Sequence, residues 1–305
     1  MANLRDIQRR MGSIRSTMQV TRTMEMISTA RIRRALDRAE EAMPYKQALT
    51  RMLANVAGAA VKSTHPLLEA HAETKRVLFI IIASDRGLAG GFNVVPERQV
   101  EREMRALKAK GISSELITCG RKPSEYFVSR GITPSMTFIG ISSEPTQDEA
   151  DRIAAFVMDG YADGDFDEVR LYYWHARSRV DQTYVNERLL PLSRTELMVP
   201  NKPRADTALD QIAAVRRSEY EFDPSAPVVL GYLIPAYVRT VIFHALLDSA
   251  AAEHGARRRA MQSATDNAEE VLKVLSRTYN RARQGSITTE LNEIIGGASA
   301  LEEDS

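Results

Sequence analysis

The sequence is poor in cysteine and lacks a long apolar run. Cys119 is alone among 305 residues, which excludes an internal disulfide and a cysteine-based zinc site and fits a reducing cytoplasm. No apolar run reaches the length that spans a bilayer, so we expect that the chain does not cross a membrane. Charged residues interrupt the start (MANLRDI), and a helical pattern begins almost at once, which argues against a signal or transit peptide.

Short catalytic motifs are missing too. The five histidines have no metal-ligand spacing, and the sequence contains neither H-E-x-x-H nor G-x-S-x-G. A glycine-rich turn, Ser84–Asn93 (SDRGLAGGFN), lacks the glycine spacing of a dinucleotide-binding turn and the lysine of a P-loop. We therefore predict no catalytic residue, no metal and no cofactor. A nucleotide-binding enzyme that uses this turn is the third hypothesis.

Glycine and proline are almost absent from the two ends of the chain. Ser13–Asn55 has no glycine and only one proline, Pro44, while Ala236–Ile295 has no proline and only Gly255 and Gly285. Both stretches are rich in good helix formers. The composition predicts two helices on the order of 80 and 100 Å long, with a kink at Pro44.

Apolar residues in the first stretch follow the spacing of a coiled-coil seam. The seam residues are Leu4, Ile7, Met11, Ile14 and Met18, after which the phase shifts to Val20, Met24 and Ile27. Such a thin stripe needs a partner helix, and the nearest partner is the other end of the chain. The pattern therefore predicts an antiparallel, left-handed coiled coil of the N- and C-terminal helices.

The middle of the chain alternates between strand and helix patterns. The predicted strands are Arg76–Ala83, Glu115–Cys119, Ser135–Ile139, Glu168–His175 and Gln182–Leu190. The predicted helices are a stretch that ends near Lys110, Lys122–Ser129 and Gln147–Gly160. This alternation predicts an α/β sheet, with the last two strands as a hairpin. The predicted parts are 1–60 and 225–305 as coiled-coil helices, 75–200 as the α/β domain and 201–224 as a linker loop.

The formal net charge of +1 hides an uneven distribution. Up to Arg38 the chain has nine arginines and only three acidic residues, Asp6, Glu25 and Asp37. A basic helix can bind nucleic acid, an anionic membrane or an acidic protein surface. Methionine is concentrated in the first helix, which suits either a packed core or a surface that meets changing partners.

Four segments carry long, specific motifs: Ile7–Ala35 (IQRRMGSIRSTMQVTRTMEMISTARIRRA), the Ser84–Asn93 turn, Ala264–Ala268 (ATDNA) and Ala282–Leu301 (ARQGSITTELNEIIGGASAL). Through these segments the chain resembles the gamma subunit family of F-type ATP synthase, in its bacterial form. The resemblance implies a coiled coil plus a central Rossmann-like domain that carries no nucleotide. An unrelated coiled-coil scaffold with an α/β head is the alternative.

The resemblance also implies a function and partners. The chain would be the central rotor shaft, one copy per complex, inside a hexamer of alternating α and β subunits. It would contact the ε subunit and the ring of membrane c subunits, and it would bind no nucleic acid. Catalysis would take place on β, so the chain itself would be a non-catalytic subunit. The complex would lie at the cytoplasmic face of a bacterial membrane, with this chain attached only through the c ring.

Seven residues match positions with a role in that family. Met24 and Arg257, with the last-helix residues Gln284, Thr288 and Glu290, would contact the β subunits. Tyr220 and Glu221 would face the c ring. A basic first helix would then face acidic loops on β.

Overall fold

The computed structural model describes residues 4–59, 65–193, 222–223 and 225–303, without the side chains of 57–59 and 296–303. The chain divides into two compact units. Unit 1 combines Met1–Ser28 with Arg257–Ser305, and unit 2 is Thr29–Ala256.

Both predicted terminal helices are present. The first, α1, runs over Leu4–Ala59 (56 residues), and the last, α5, runs over Ala226–Glu303 (78 residues). Helix α1 continues through Pro44, which is exposed. The division into four parts stays a prediction. The two units divide the chain differently, because unit 2 contains α1 from Thr29 onward and α5 up to Ala256 together with the sheet.

Unit 2 contains a five-stranded sheet in the order β3-β2-β1-β4-β5. The strands are β1 (Arg76–Ile82), β2 (Ser113–Cys119), β3 (Met136–Phe138), β4 (Glu168–Ala176) and β5 (Gln182–Leu190). Neighbouring strands are parallel except β4 and β5, which pair antiparallel. The predicted α/β sheet and its hairpin are confirmed.

Side chains of β1 alternate between two cores because the sheet has helices on both faces. Phe79 and Ile81 pack with residues of helices α2 (Val94–Ala109) and α3 (Arg121–Val128). Leu78 and Ile80 pack on the other face, with residues of helix α4 (Gln147–Ala162), of the end of α1 and of the first turns of α5. The central strand β1 is thereby buried on both sides.

A hydrogen bond between His175 and the buried Asp248 attaches α5 to the sheet within unit 2. The Nδ1 atom of His175 on β4 lies 2.7 Å from Oδ2 of Asp248, which is 3% exposed. Burial alone would raise the pKa of Asp248, but its contacts with His175 and His244 hold the pKa below its ordinary value. The contact fixes one turn of the long helix against the sheet.

In unit 1, α1 and α5 pack along a seam with a strict seven-residue repeat. Ile7, Thr21 and Ser28 are 5%, 8% and 2% exposed, and Ile14 is half-buried. Thr21 meets Thr265 of α5, with their hydroxyl oxygens 2.7 Å apart. A seven-residue repeat of this kind imposes a left-handed supercoil.

The predicted shift of the seam to Val20, Met24 and Ile27 is wrong. Val20 and Ile27 are 55% and 49% exposed, whereas Thr21 is buried. The prediction followed apolar character, but the positions that face α5 hold small hydroxyl side chains. Because hydroxyls can bond the helix backbone, they can occupy seam positions where an apolar residue was expected.

One helix stretch, Ala226–Ile295, is long and apolar enough to cross a membrane by length and composition alone. This differs from the sequence expectation that no run is long enough. A single stretch of this kind is weak support for a membrane span, because helices that pack in a protein core pass the same test. Leu230, Ile234 and Val238, which lie in it, are buried in unit 2.

Candidate interaction surface

Helix α1 presents an apolar face outside the seam of unit 1. Val20, Met24 and Ile27 recur every three or four residues and therefore share one side of the helix. Val20 and Ile27 are about half exposed, Met24 is half-buried and the nearby Met26 is 60% exposed. Apolar side chains grouped on a surface in this way mark a contact site for another molecule.

The end of α5 carries a longer apolar stripe. Because Thr21 faces Thr265 and the helices run antiparallel, Leu4 lies at the level of about residue 282. Beyond that level α5 runs past the described part of α1. The exposed stripe, called the α5 stripe below, consists of Ile287 (49%), Leu291 (53%), Ile294 (68%) and Ile295 (61%).

Three predicted contact residues border the α5 stripe. Gln284 and Thr288 precede Leu291 and Ile295 by seven residues and lie along one edge of it. Glu290 lies along the other edge, between Ile287 and Ile294. All three side chains are exposed, and the Thr288 hydroxyl donates to the carbonyl of Gln284 at 2.9 Å. An apolar strip with polar edges has the composition of a protein interface core and its rim.

The five predicted β-contact residues fall at two levels of unit 1. Met24 lies at the level of about residue 262, some 8 Å along the axis from Arg257. Gln284 lies about 33 Å from the level of Met24, on the side away from Arg257. The structure therefore does not bring Met24 and Arg257 together with the contact residues at the end of α5. Arg257 is also only 8% exposed, unlike the exposed residues at the end of α5.

The two predicted c-ring contacts, Tyr220 and Glu221, lie outside the described residues. The prediction for them therefore stays as it was made from the sequence. Phe222 and Asp223 are the nearest described residues that follow them.

The Ser84–Asn93 turn lies at the carboxyl end of β1, where a doubly wound fold binds phosphate. Here the carboxylate of Asp85 accepts hydrogen bonds from the backbone N–H groups of Arg121 (2.9 Å), Gly140 (2.9 Å) and Ser142 (3.1 Å). Burial alone would raise the pKa of Asp85, but these bonds hold it below its ordinary value. A phosphate at these donors would first have to displace the chain's own carboxylate.

The close approach of β1 and β2 at this edge depends on Gly120. Its φ of 117° is a backbone conformation that other residues rarely adopt, and a Cβ atom there would lie 2.5 Å from the carbonyl oxygen of Ala83. The backbone of Ala83 in turn donates to the carbonyl of Cys119 at 2.9 Å. Gly120 therefore lets the turn and the α3 N-terminus meet.

A buried acid lies near the same edge. Glu97, in the first turn of α2, is 4% exposed, and burial raises its pKa to about 7, although the charges of Arg130 and Lys122 oppose the rise. Among the described residues, no group of three His, Cys, Asp or Glu side chains could hold a metal ion.

Sequence reasoning missed the contact between the Thr21 and Thr265 hydroxyls. It also missed the three backbone N–H groups that bind the Asp85 carboxylate, called the Asp85 cradle below. The signal for Thr21 was present, because Ile7, Ile14, Thr21 and Ser28 are each seven residues apart. The cradle had no such signal, since one donor is the first residue of α3 and the other two lie in the loop after β3, and these segments meet only in the folded sheet.

Comparison with known proteins places this architecture among ATP synthase subunits. The family described as ATP synthase matches residues 3–301. Two solved Euglena gracilis mitochondrial ATP synthase structures share the fold: a rotor (TM-score 0.60, 14% identity, 93% of this chain and 98% of that one) and an OSCP/F1/c-ring assembly (TM-score 0.64, 16% identity, 98% and 94%).

A bacterial relative narrows the family. The ATP synthase gamma chain of Desulforamulus reducens is 39% identical over 302 residues, covering 99% of this chain and all of the relative. The chain belongs to the ATP synthase gamma chain family, as its terminal segments and the Ser84–Asn93 turn suggested. Family and fold together support the role of a central rotor shaft in ATP synthesis, within a multisubunit enzyme.

Proposed function

We propose that this chain turns inside a hexamer of alternating α and β subunits and couples rotation of a c ring to ATP synthesis or hydrolysis on β. The α5 stripe carries the proposal. Four large apolar side chains, each about half exposed or more, follow one another on a helix end that runs past the described part of α1. An exposed apolar surface of this size is expected to bind an apolar surface of a partner protein that surrounds it.

Coupling requires that the rotating surface be uneven. Unit 1 presents the apolar face of Val20, Met24 and Ile27 on α1 and, at another level, the α5 stripe with Glu290 on one edge and Gln284 on the other. A β subunit therefore meets a different surface at each rotation angle. Because a ligand shifts an equilibrium only through its difference in affinity for the two states, this unevenness supplies the bias between open and closed β.

The contacts are proposed residue by residue. Met24 meets an acidic β loop at one level, and Gln284, Thr288 and Glu290 meet a second β loop at the other. Arg257 belongs to the first level, but because its side chain is already covered we expect it to contribute least by direct contact. Tyr220 and Glu221 are proposed to face the c ring.

The remaining assignments follow from the same role. The chain is a non-catalytic subunit, present once per complex, and its α/β domain contacts the ε subunit and the c ring. It lies at the cytoplasmic face of a bacterial membrane and reaches the membrane only through the c ring.

A charge at Met24 tests the coupling role. Met24→Lys adds a flexible cation to an apolar face that changes partners during rotation, so hydrolysis should continue while ions pumped per ATP fall by about fivefold, the low end of allosteric coupling. Both rates are measured in membrane vesicles that contain the assembled complex. Met24→Leu, which keeps the size without the charge, should pump like the unchanged chain. Unchanged pumping per ATP in Met24→Lys would refute the proposed role of this residue.

Co-purification tests the assembly itself. An affinity-tagged full-length chain, expressed with the α and β subunits, should retain both in a 1:3:3 complex with ATPase activity. A chain that purifies alone would favour the coiled-coil scaffold instead.

A further inference from the structure

A cleft of about 470 Å³ opens between three helices of unit 2. Tyr45 of α1, Asp151 of α4 and Phe243 of α5 are among the residues that line it. This volume is within the range of small-molecule sites in proteins, and a mixture of aromatic and charged side chains is typical of such sites. None of these residues belongs to the surfaces proposed above to contact β or the c ring, so the cleft is not explained by that role.

His244 is the most buried side chain of the cleft, and its ring has an unused nitrogen. It is 1% exposed, and neither ring nitrogen has a hydrogen-bond partner among the described residues. Nδ1 lies 3.2 Å from Oδ2 of the Asp248 carboxylate, although the contact lacks hydrogen-bond geometry. Because a carboxylate attracts a hydrogen, the neutral imidazole carries its hydrogen on Nδ1 and leaves Nε2 as an acceptor. A buried acceptor without a donor is costly, which indicates that a donor from outside the chain binds there.

Two opposite charges also line the cleft without pairing with each other. Arg239 on α5 is exposed, and Asp151 on α4 is half-buried. Among the described residues neither side chain has an ion-pair partner, and Asp151 accepts one hydrogen bond, from Nε2 of Gln147 at 3.0 Å. The second oxygen of the Asp151 carboxylate therefore remains available. A ligand with an anionic end and a cationic end would pair both charges across the cleft.

We propose that the cleft between α1, α4 and α5 binds a small zwitterion of the class of α-amino acids with a basic side chain. The carboxylate of the ligand pairs with the exposed Arg239. Its basic group donates hydrogen bonds to Asp151 and to Nε2 of His244. The rings of Tyr45 and Phe243 suit a flat guanidinium or the aliphatic stem that joins the two ends.

Ligands with a single charge fit the cleft less well. A purely anionic ligand would be repelled by Asp151 and by Asp148 and Glu149, which lie in the first turn of the same helix. A purely cationic ligand would be repelled by Arg239 and would leave that guanidinium without an anion. The two charges thus select against both kinds of ligand.

L-Arginine is the probe, and its binding to the full-length chain is measured by an NMR titration. We expect saturable binding with a dissociation constant of about 1 mM or tighter, as two charge-assisted contacts would give. Agmatine lacks the carboxylate and citrulline lacks the cationic group, so each should bind about tenfold more weakly. If arginine shows no saturable binding, the proposal is wrong and water alone satisfies Nε2 of His244.

Substitutions at the two charges locate the bound arginine. Arg239→Gln should weaken its binding about tenfold and remove its advantage over agmatine, and Asp151→Asn should remove its advantage over citrulline. Arg98→Gln is the matched control, because Arg98 is an exposed arginine on α2, on the other face of the sheet. It should bind arginine like the unchanged chain. Unchanged binding in both cleft variants would show that arginine binds elsewhere and would overturn the proposal.

The imidazole of His244 gives a direct readout of the contact. In the full-length chain with nitrogen-labelled histidine, arginine should shift the Nε2 resonance that is missing from His244→Phe, a variant that keeps a ring but removes both nitrogens. A resonance that does not move at saturation would refute the contact with His244. If His244→Phe does not fold, the substitutions at the less buried Arg239 and Asp151 decide. These titrations need no α or β subunit, so they stand whether or not the proposed function holds.

Discussion

The two units bury their apolar residues very differently. In unit 2 every residue from Val77 to Ala83 is at most 2% exposed, whereas the four residues of the α5 stripe in unit 1 are 49–68% exposed. The sheet has a helix layer on each face, and each side chain therefore finds neighbours within the chain. A helix pair can bury only the seam between its members, so its outer faces stay open. Unit 2 completes its own core, whereas unit 1 leaves the α5 stripe exposed, which agrees with the proposed cover by a surrounding hexamer.

The comparison predicts that the largest losses of stability come from backbone positions in unit 2. Gly120→Ala forces a Cβ atom to 2.5 Å from the carbonyl oxygen of Ala83 at a φ of 117°, so the free energy of unfolding should fall by about 4 kcal/mol. Trp174, the only tryptophan of the chain, lies in unit 2, and its fluorescence in a denaturant titration measures the loss.

Gly111→Ala is the matched control for this substitution. Gly111 also has a positive φ, 77°, but open space around its Cβ position, so only the backbone strain of about 1 kcal/mol is expected. Equal losses for the two variants would show that the close approach to Ala83 does not matter.

A pair of identical substitutions compares the units more directly. Ile80→Ala empties part of a fully buried site and should lower the free energy of unfolding of unit 2 by about 3 kcal/mol. Ile287→Ala removes a side chain that is 49% exposed and should change stability by less than about 0.5 kcal/mol.

When binding is measured instead of stability, we expect Ile287→Ala to have a larger effect than Ile80→Ala. Affinity for the α/β hexamer should fall by about 1–2 kcal/mol for Ile287→Ala and stay unchanged for folded Ile80→Ala, as a binding titration of the full-length chain would measure. A normal affinity for Ile287→Ala would contradict the assignment of the α5 stripe as a covered surface.

One effect that depends on pH concerns the buried acid Glu97 in unit 2. Its pKa is raised to about 7 from the ordinary value of 4.5, so between those pH values the folded state holds a proton that the unfolded state has released. Stability therefore falls as pH rises through this range and stays low above it. Glu97→Gln removes the charge, so its gain over the unchanged chain should be about 3 kcal/mol larger at pH 8.5 than at pH 4.5.

Denaturant titrations at the two pH values measure the Glu97 effect. Glu73→Gln, at a carboxylate whose side chain is 74% exposed, serves as the control and should show no such difference. A gain for Glu97→Gln that is the same at both pH values would rule out a buried proton at this position.

Much of the secondary structure could be predicted because its signals are local. The strand β5 has the predicted bounds, Gln182–Leu190, and β1 ends one residue before the predicted Ala83. Continuous apolar runs bounded by turn residues leave few alternatives for buried strands. β2 begins two residues earlier than predicted, at Ser113, because its first residues pair with the start of β1 at the polar edge of the sheet.

The candidate surface was predicted less completely. Family motifs located Gln284, Thr288 and Glu290, and the structure adds the α5 stripe between them. The seam around Met24 was misassigned because apolar character decided the phase, whereas burial follows the position on the helix. Thr21 and Ser28 are polar and buried, and Val20 and Ile27 are apolar and exposed.

The sequence by itself determined that both ends are long helices, that the middle is an α/β sheet and that the chain belongs to its family. These properties depend on composition, short-range periodicity and contiguous motifs. Only the tertiary structure decided that Thr265 lies opposite Thr21, that Asp85 fills the cradle at the sheet edge and that the α5 stripe runs past the described part of α1. Each of these depends on which residues, distant along the chain, come together in the folded protein, and no local pattern encodes that.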